Sequence, residues 1–117
     1  MGKQCTLAEV AAAVRKNGWK QVKSTYVSYG SNGKVEGGCA IGQGAINLGV
    51  THQSLEAALN QIKVFDESGN LVSLGSWIIN QNDSHGVTVG EIGRLTERRI
   101  ARIGKMTVEL TPMTYKT

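Results

Sequence analysis

The sequence predicts an α+β domain of about four short helices packed on a small antiparallel sheet, a hairpin plus a C-terminal strand. Three observations carry that expectation. Thr6/Glu9 and Thr88/Glu91 each precede helically spaced apolar residues, the pattern of a capping box in which two side chains satisfy each other's orphan backbone donors. Residues 19–29 and 106–110 alternate with the period of two that marks a strand. Glycine occurs 15 times and proline once, which implies many tight turns or close approaches between elements.

The first helix follows Thr6, with Leu7, Val10, Ala11 and Val14 on one face, and Asn17-Gly18 closes it because both residues tolerate the left-handed conformation. In the strand that follows, Val22, Ser24, Tyr26 and Ser28 alternate with Lys23, Thr25, Val27 and Tyr29. Ser31-Asn32-Gly33-Lys34 holds the Asn-Gly dipeptide of tight hairpins and returns a short strand through Val35. Residues 37–49 read as a short helix entered through two glycines, with Ile41, Ala45 and Leu48 at helical spacing and Gly49 as the stop. Gly42 and Gly44 inside it each cost about 1 kcal/mol relative to alanine, so another backbone is expected against that face.

A third helix runs from about Ser54, with Leu55, Ala58, Leu59 and Ile62 as its apolar stripe. Residues 64–72 carry the turn chemistry Glu67-Ser68-Gly69-Asn70, while Leu71, Leu74, Trp77 and Ile78 fit a helix; the reading is a loop leading into a short helix around Trp77. The last helix starts at the Thr88 cap, buries Val89, Ile92, Thr96, Ile100 and Ile103, and ends at Gly104. Met106, Val108 and Leu110 then form a final strand expected to join the early hairpin before Pro112.

At 117 residues, 40% hydrophobic and 19% charged, the chain is expected to be one compact domain, residues 1–117, that folds without a metal or disulfide. Cys5 and Cys39 are too few for a secreted disulfide scaffold, and the residues after Met1 lack the blocks of a signal peptide, so the expected compartment is the reducing cytoplasm. Apolar runs such as Trp77-Ile78-Ile79 fall far short of the roughly 18 residues of a membrane span. The net charge of +4, from 13 basic and 9 acidic residues, mildly favours an anionic partner.

The most unusual surface is on the last helix, where Arg94, Arg98 and Arg102 repeat every four residues with Lys105 close to the stripe and Arg99 at its edge. Stacked like charges repel by about a few tenths of a kcal/mol per pair, and a bound anion relieves this. The candidate partners are nucleic-acid phosphate or an acidic protein surface. The plainer account is that late basic residues complement the helix dipole, with Glu91 and Glu97 neutralising part of the stripe. Lys20, Lys23 and Lys34 with Trp19, Tyr26 and Tyr29 form a second basic and aromatic group, but alternation sends its members to opposite faces, so some belong to the core.

Cys39 opens a helix, where backbone donors lower a thiol pKa, and His52 or His85 would be its base if the chain were a small cysteine enzyme. A cysteine among glycine and alanine is otherwise a small buried hydrophobe. The polar run Asn80-Gln81-Asn82-Asp83-Ser84-His85-Gly86 is rich in oxygen but lacks the alternating acidic ligands and distal glutamate of a calcium loop. A turn that caps and orients the last helix accounts for it better, with Asn82 or Asp83 bonding neighbouring backbone amides and Asn82, Asp83 and His85 as candidate ligand or structural residues. No paired carboxylates, phosphate-cradling loop or metal-ligand spacing is present, and no cofactor is expected.

Gly38-Cys39-Ala40-Ile41-Gly42 opening one helix, with Asn82-Asp83 and then Gly86-Val87-Thr88 opening the last, resembles a loosely defined group of small bacterial and phage proteins of unknown function. The likeness covers residues 37–100 and leaves out the hairpin lysines and the arginine stripe. It implies a fold more than an activity, and a setting among phage accessory proteins, some of which block host defence systems by binding. The leading expectation is a non-catalytic binding protein acting through the basic helix face. The alternatives are a small-molecule pocket formed by the glycine-lined helix and polar loop, and the Cys39 enzyme. An exposed strand edge or the glycine-rich helix face would let two copies pair.

Overall fold

In the computed structural model, which describes residues 2–16 and 18–116, strand β1 (Lys3–Thr6) runs directly into helix α1 (Leu7–Arg15). The Thr6 hydroxyl accepts from the Glu9 N–H (3.1 Å) and Glu9 Oε1 accepts from the Thr6 N–H (2.8 Å), the reciprocal cap expected from the sequence. Leu7, Val10, Ala11 and Val14 are buried, and α1 packs on α2 (Ala40–Leu48) and α5 (Val89–Arg99). The expected stop at Asn17-Gly18 includes Asn17, which lies outside the described residues.

The long early strand is replaced by two short ones, β2 (Lys20–Gln21) and β3 (Ser28–Tyr29), on either side of β4 (Val35–Gly38). β3 and β4 form the expected antiparallel pair across the Asn32-Gly33 turn, but β2 runs parallel to β4. Between them the chain leaves the ladder because α4 (Leu74–Asp83) takes its backbone groups. The Val22 carbonyl accepts from Asn82 Nδ2 (2.9 Å), and the Ser24 N–H, at φ 59°, donates to Asp83 Oδ1 (3.0 Å). The released loop crosses the first turn of α2, where the Cys39 N–H donates to the Thr25 carbonyl (2.9 Å).

Three further expectations are corrected. The C-terminal strand β7 (Thr107–Leu110) pairs antiparallel with β1, with Cys5 opposite Val108, and not with the hairpin. Residues 64–72 hold a second hairpin, β5 (Lys63–Phe65) and β6 (Leu71–Ser73), turned by Asp66, whose Oδ1 accepts from the Ser68 and Asn70 N–H groups (both 2.9 Å). The sheet is therefore three small sheets. The helix around Trp77 is α4, which takes in Asn80, Gln81, Asn82 and Asp83, so most of the polar run is helix and not loop. Helix α3 (His52–Leu59) starts just before the expected Ser54, capped by Thr51. Trp77, Ile41, Leu55, Ile78 and Ile92 sit at the centre of one buried cluster to which all five helices contribute. No helix among the described residues is long and apolar enough to cross a membrane.

Candidate functional site

Helix α5 ends at Arg99, short of the expected Gly104, so the basic stripe does not continue along one helix. Arg94 and Arg98 lie on α5, while Arg102 and Lys105 sit in the turns after it. Those turns are tied to the start of α1, since the Ala8 and Leu7 N–H groups donate to the carbonyls of Gly104 (3.0 Å) and Met106 (2.8 Å). Of the second capping box only half forms. The Thr88 hydroxyl accepts from the Glu91 N–H (3.4 Å), but the Glu91 carboxylate turns to Arg94, whose Nε donates to it at 2.6 Å. The hydrogen bond from Arg94 holds Glu91 below the usual carboxylate range.

The five basic residues thus divide into two sets. Arg94 is neutralised by Glu91, and Arg99 by Glu67 at 3.0 Å, with its guanidinium 4.1 Å from the centre of the Trp77 ring. Glu97, the remaining acid on α5, pairs with Arg15 at 3.0 Å. Arg98, Arg102 and Lys105 are exposed and have no ion pair or side-chain hydrogen bond among the described residues.

The candidate residues Asn82, Asp83 and His85 are split three ways by the last turn of α4. Asn82, 1% exposed, is a structural junction: its Oδ1 accepts from Gln21 Nε2 (2.9 Å) and the Ala40 N–H (3.1 Å), and its Nδ2 donates to the Val22 carbonyl (2.9 Å) and Asp83 Oδ1 (2.8 Å). Gln21 extends the junction to the start of α5, donating to the Val87 carbonyl (2.7 Å) and accepting from the Val89 N–H (3.0 Å). The expected bonds to neighbouring backbone amides are replaced by bonds from the Ala40 and Ser24 N–H groups, in chain segments distant in sequence. Asp83 faces a cavity of about 110 Å³ beside Cys39, and His85 faces a different one.

Cys39 is the N-cap residue of α2 and is buried. Burial pushes its thiol above the ordinary value and outweighs the N–H groups of Gly42 and Ile41, which favour the thiolate. Its cavity is lined by Ser24, Thr25, Tyr26, Ile79 and Asp83 and by neither histidine. His52 instead stacks on Tyr26, with ring centroids 4.6 Å apart. Tyr26 donates to Glu56, and chiefly for that reason its hydroxyl is pushed up to about 12. In native protein at neutral pH, iodoacetamide is expected to label Cys39 slowly and only as fast as the fold opens, with labelling complete on denaturation, as followed by intact mass. Rapid native labelling would restore the thiol as a reactive group.

The hairpin group is also dispersed. Trp19 donates to Asn47 Oδ1 (3.1 Å), Tyr26 is held as above, and Tyr29 alone of the three aromatics is mostly exposed. Among the described residues no cluster of three or more His, Cys, Asp or Glu side chains is placed to hold a metal ion.

The sequence reading missed a cavity of about 540 Å³ between α4, α5 and the β5–β6 turn. It brings Arg99 and His85, drawn from two separate candidate groups, to one wall system with Glu67, Trp77 and Gln81. Glu67 is its organiser: the carboxylate accepts from Trp77 Nε1 (2.9 Å), Arg99 Nη2 (3.0 Å) and Gln81 Nε2 (3.3 Å). The bond from Trp77 comes first among the causes that hold Glu67 below the usual carboxylate range. The polar run supplies Asn80, Gln81 and His85 to this wall, but no local signal joins them to Glu67 and Arg99, which only the tertiary fold brings together.

Comparison with protein-family models, curated proteins and solved structures found no match to this chain.

Proposed function

We propose that the chain is a non-catalytic binding module that docks an anionic partner, nucleic-acid phosphate first, on Arg98, Arg102 and Lys105. One observation carries the reading. The three glutamates around α5 are engaged by Arg94, Arg15 and Arg99, which leaves Arg98, Arg102 and Lys105 exposed and without an ion pair among the described residues. In a chain of net charge +4, exposed cations gathered at the end of one helix favour an anionic partner. A contact of this kind reads charge and not base sequence, since phosphate contacts position a partner without specifying it. The resemblance to small phage proteins suggests the setting we propose for it, an accessory protein that inhibits a host defence or nucleic-acid-processing system by occupying such a surface.

The test is fluorescence anisotropy with short single- and double-stranded nucleic acids across a salt series. Neutralising up to three phosphates gives a slope of log K against log salt of about −2 to −3. Arg98→Glu/Arg102→Glu is expected to remove most of that slope and the binding with it. Its thermal midpoint should stay within about 2–3 °C of wild type, because both side chains are exposed and unpaired. Absence of binding at low salt would sink the nucleic-acid reading and leave an acidic protein surface as the partner for the same residues.

A further inference from the structure

We propose that the cavity between α4, α5 and the β5–β6 turn is a site for one neutral planar heterocycle of the nucleobase or nucleoside class. Its volume of about 540 Å³ lies within the roughly 300–1,000 Å³ of small-molecule sites. Val72, Val87 and Leu95 supply apolar wall, as an aromatic ring requires. The Arg99 guanidinium lies over Trp77 and leaves 23% of its side chain exposed, a flat surface on which a second planar group stacks.

Charge decides against an anionic ligand. Arg99 and Glu67 cancel at 3.0 Å, and Asp66 adds a further carboxylate at the edge. What remains is one buried guanidinium N–H, Arg99 Nε, that donates to nothing among the described residues, and a set of amide and imidazole groups. Gln81, only 5% exposed, commits its Nε2 to Glu67 and has no partner for its Oε1 among the described residues. The Asn80 amide and the His85 ring line the same cavity with no side-chain hydrogen bond among the described residues. Adjacent donors and acceptors facing an apolar, stacked slot match the edge of a heterocyclic amide and leave a phosphate without a counter-charge.

Calorimetric titration with adenosine, guanosine, cytidine and uridine, each beside its 5′-monophosphate, tests this. At least one nucleoside is expected to bind with a Kd below about 1 mM. At tenfold excess over that Kd it should raise the thermal midpoint by about 4–8 °C. Its monophosphate should bind at least about tenfold more weakly. Asn80→Trp, at an exposed helical position whose side chain makes no hydrogen bond among the described residues, should fill the slot and abolish binding; Leu95→Trp does the same from the opposite wall. Arg98→Glu/Arg102→Glu should leave nucleoside affinity within about twofold, which separates this site from the phosphate-docking residues. The proposal is overturned if no nucleoside binds, if a monophosphate binds as tightly as its nucleoside, if a folded occluding variant keeps wild-type affinity, or if the double arginine variant loses nucleoside binding.

Discussion

Asn82→Ala is expected to destabilise the fold by about 3–5 kcal/mol, most of what a small domain has to lose. The side chain is 1% exposed and makes four hydrogen bonds that join β2, the loop after it, the start of α2 and the end of α4. Removing it strands the Ala40 N–H and the Val22 carbonyl, and each stranded buried group costs about 1–3 kcal/mol. Gln21 keeps its bonds to Val87 and Val89, which limits the total. Asn82→Asp is not a conservative rescue, since it places a carboxylate oxygen where Nδ2 now donates, next to Asp83. Urea unfolding reads the effect as a fall in midpoint at constant m. A loss below about 1 kcal/mol for Asn82→Ala would mean that the junction tolerates solvent and does not organise the site.

Gly42→Ala is the second large effect, and its sign is the informative part. In an unobstructed helix this change stabilises by about 1 kcal/mol. Here a Cβ on Gly42 would lie 1.4 Å from the Tyr26 carbonyl oxygen, a backbone atom fixed by the loop that crosses α2. Either the loop moves, breaking the Cys39 to Thr25 and Ser24 to Asp83 bonds, or the helix shifts. A net loss of about 3 kcal/mol or more is expected. Gly44→Ala meets the Val14 Cγ2 methyl at 2.8 Å, a buried β-branched side chain but a longer contact with no backbone atom in the way, so it should cost less than Gly42→Ala though still destabilise. Equal effects at the two positions, measured by the same unfolding assay, would show that helix propensity and not the loop governs them.

The same residues explain what could be read from the sequence. Local chemistry was legible: the reciprocal Thr6–Glu9 cap, the Asn32-Gly33 turn and the close backbone approach implied by Gly42 all depend on a few adjacent residues or on one missing side chain. β1 was not legible, because only its partner more than a hundred residues away makes Lys3–Thr6 a strand. The polar run misled for a different reason. Leu74, Trp77, Ile78, Gln81 and Asn82 keep helical spacing and are all buried, but the last two are amides, so a hydrophobicity pattern stops one turn early. The arginines were visible as charges. Which of them remain free was not, because that depends on Glu67 and Arg15, carried by a hairpin turn and a different helix.

The C-terminal segment also bears on how the chain is made. β7 supplies the strand paired with β1, Pro112 bridges Val50, and the Lys116 carbonyl accepts from the Val35 N–H (2.8 Å). Three early parts of the chain therefore wait for residues synthesised well after them. During translation the α1–α2 layer emerges with one flank bare, and closure follows the emergence of residues 107–116 from the ribosome. Until then Cys5 and Val35, sealed in the finished fold, are open to solvent and to chaperones.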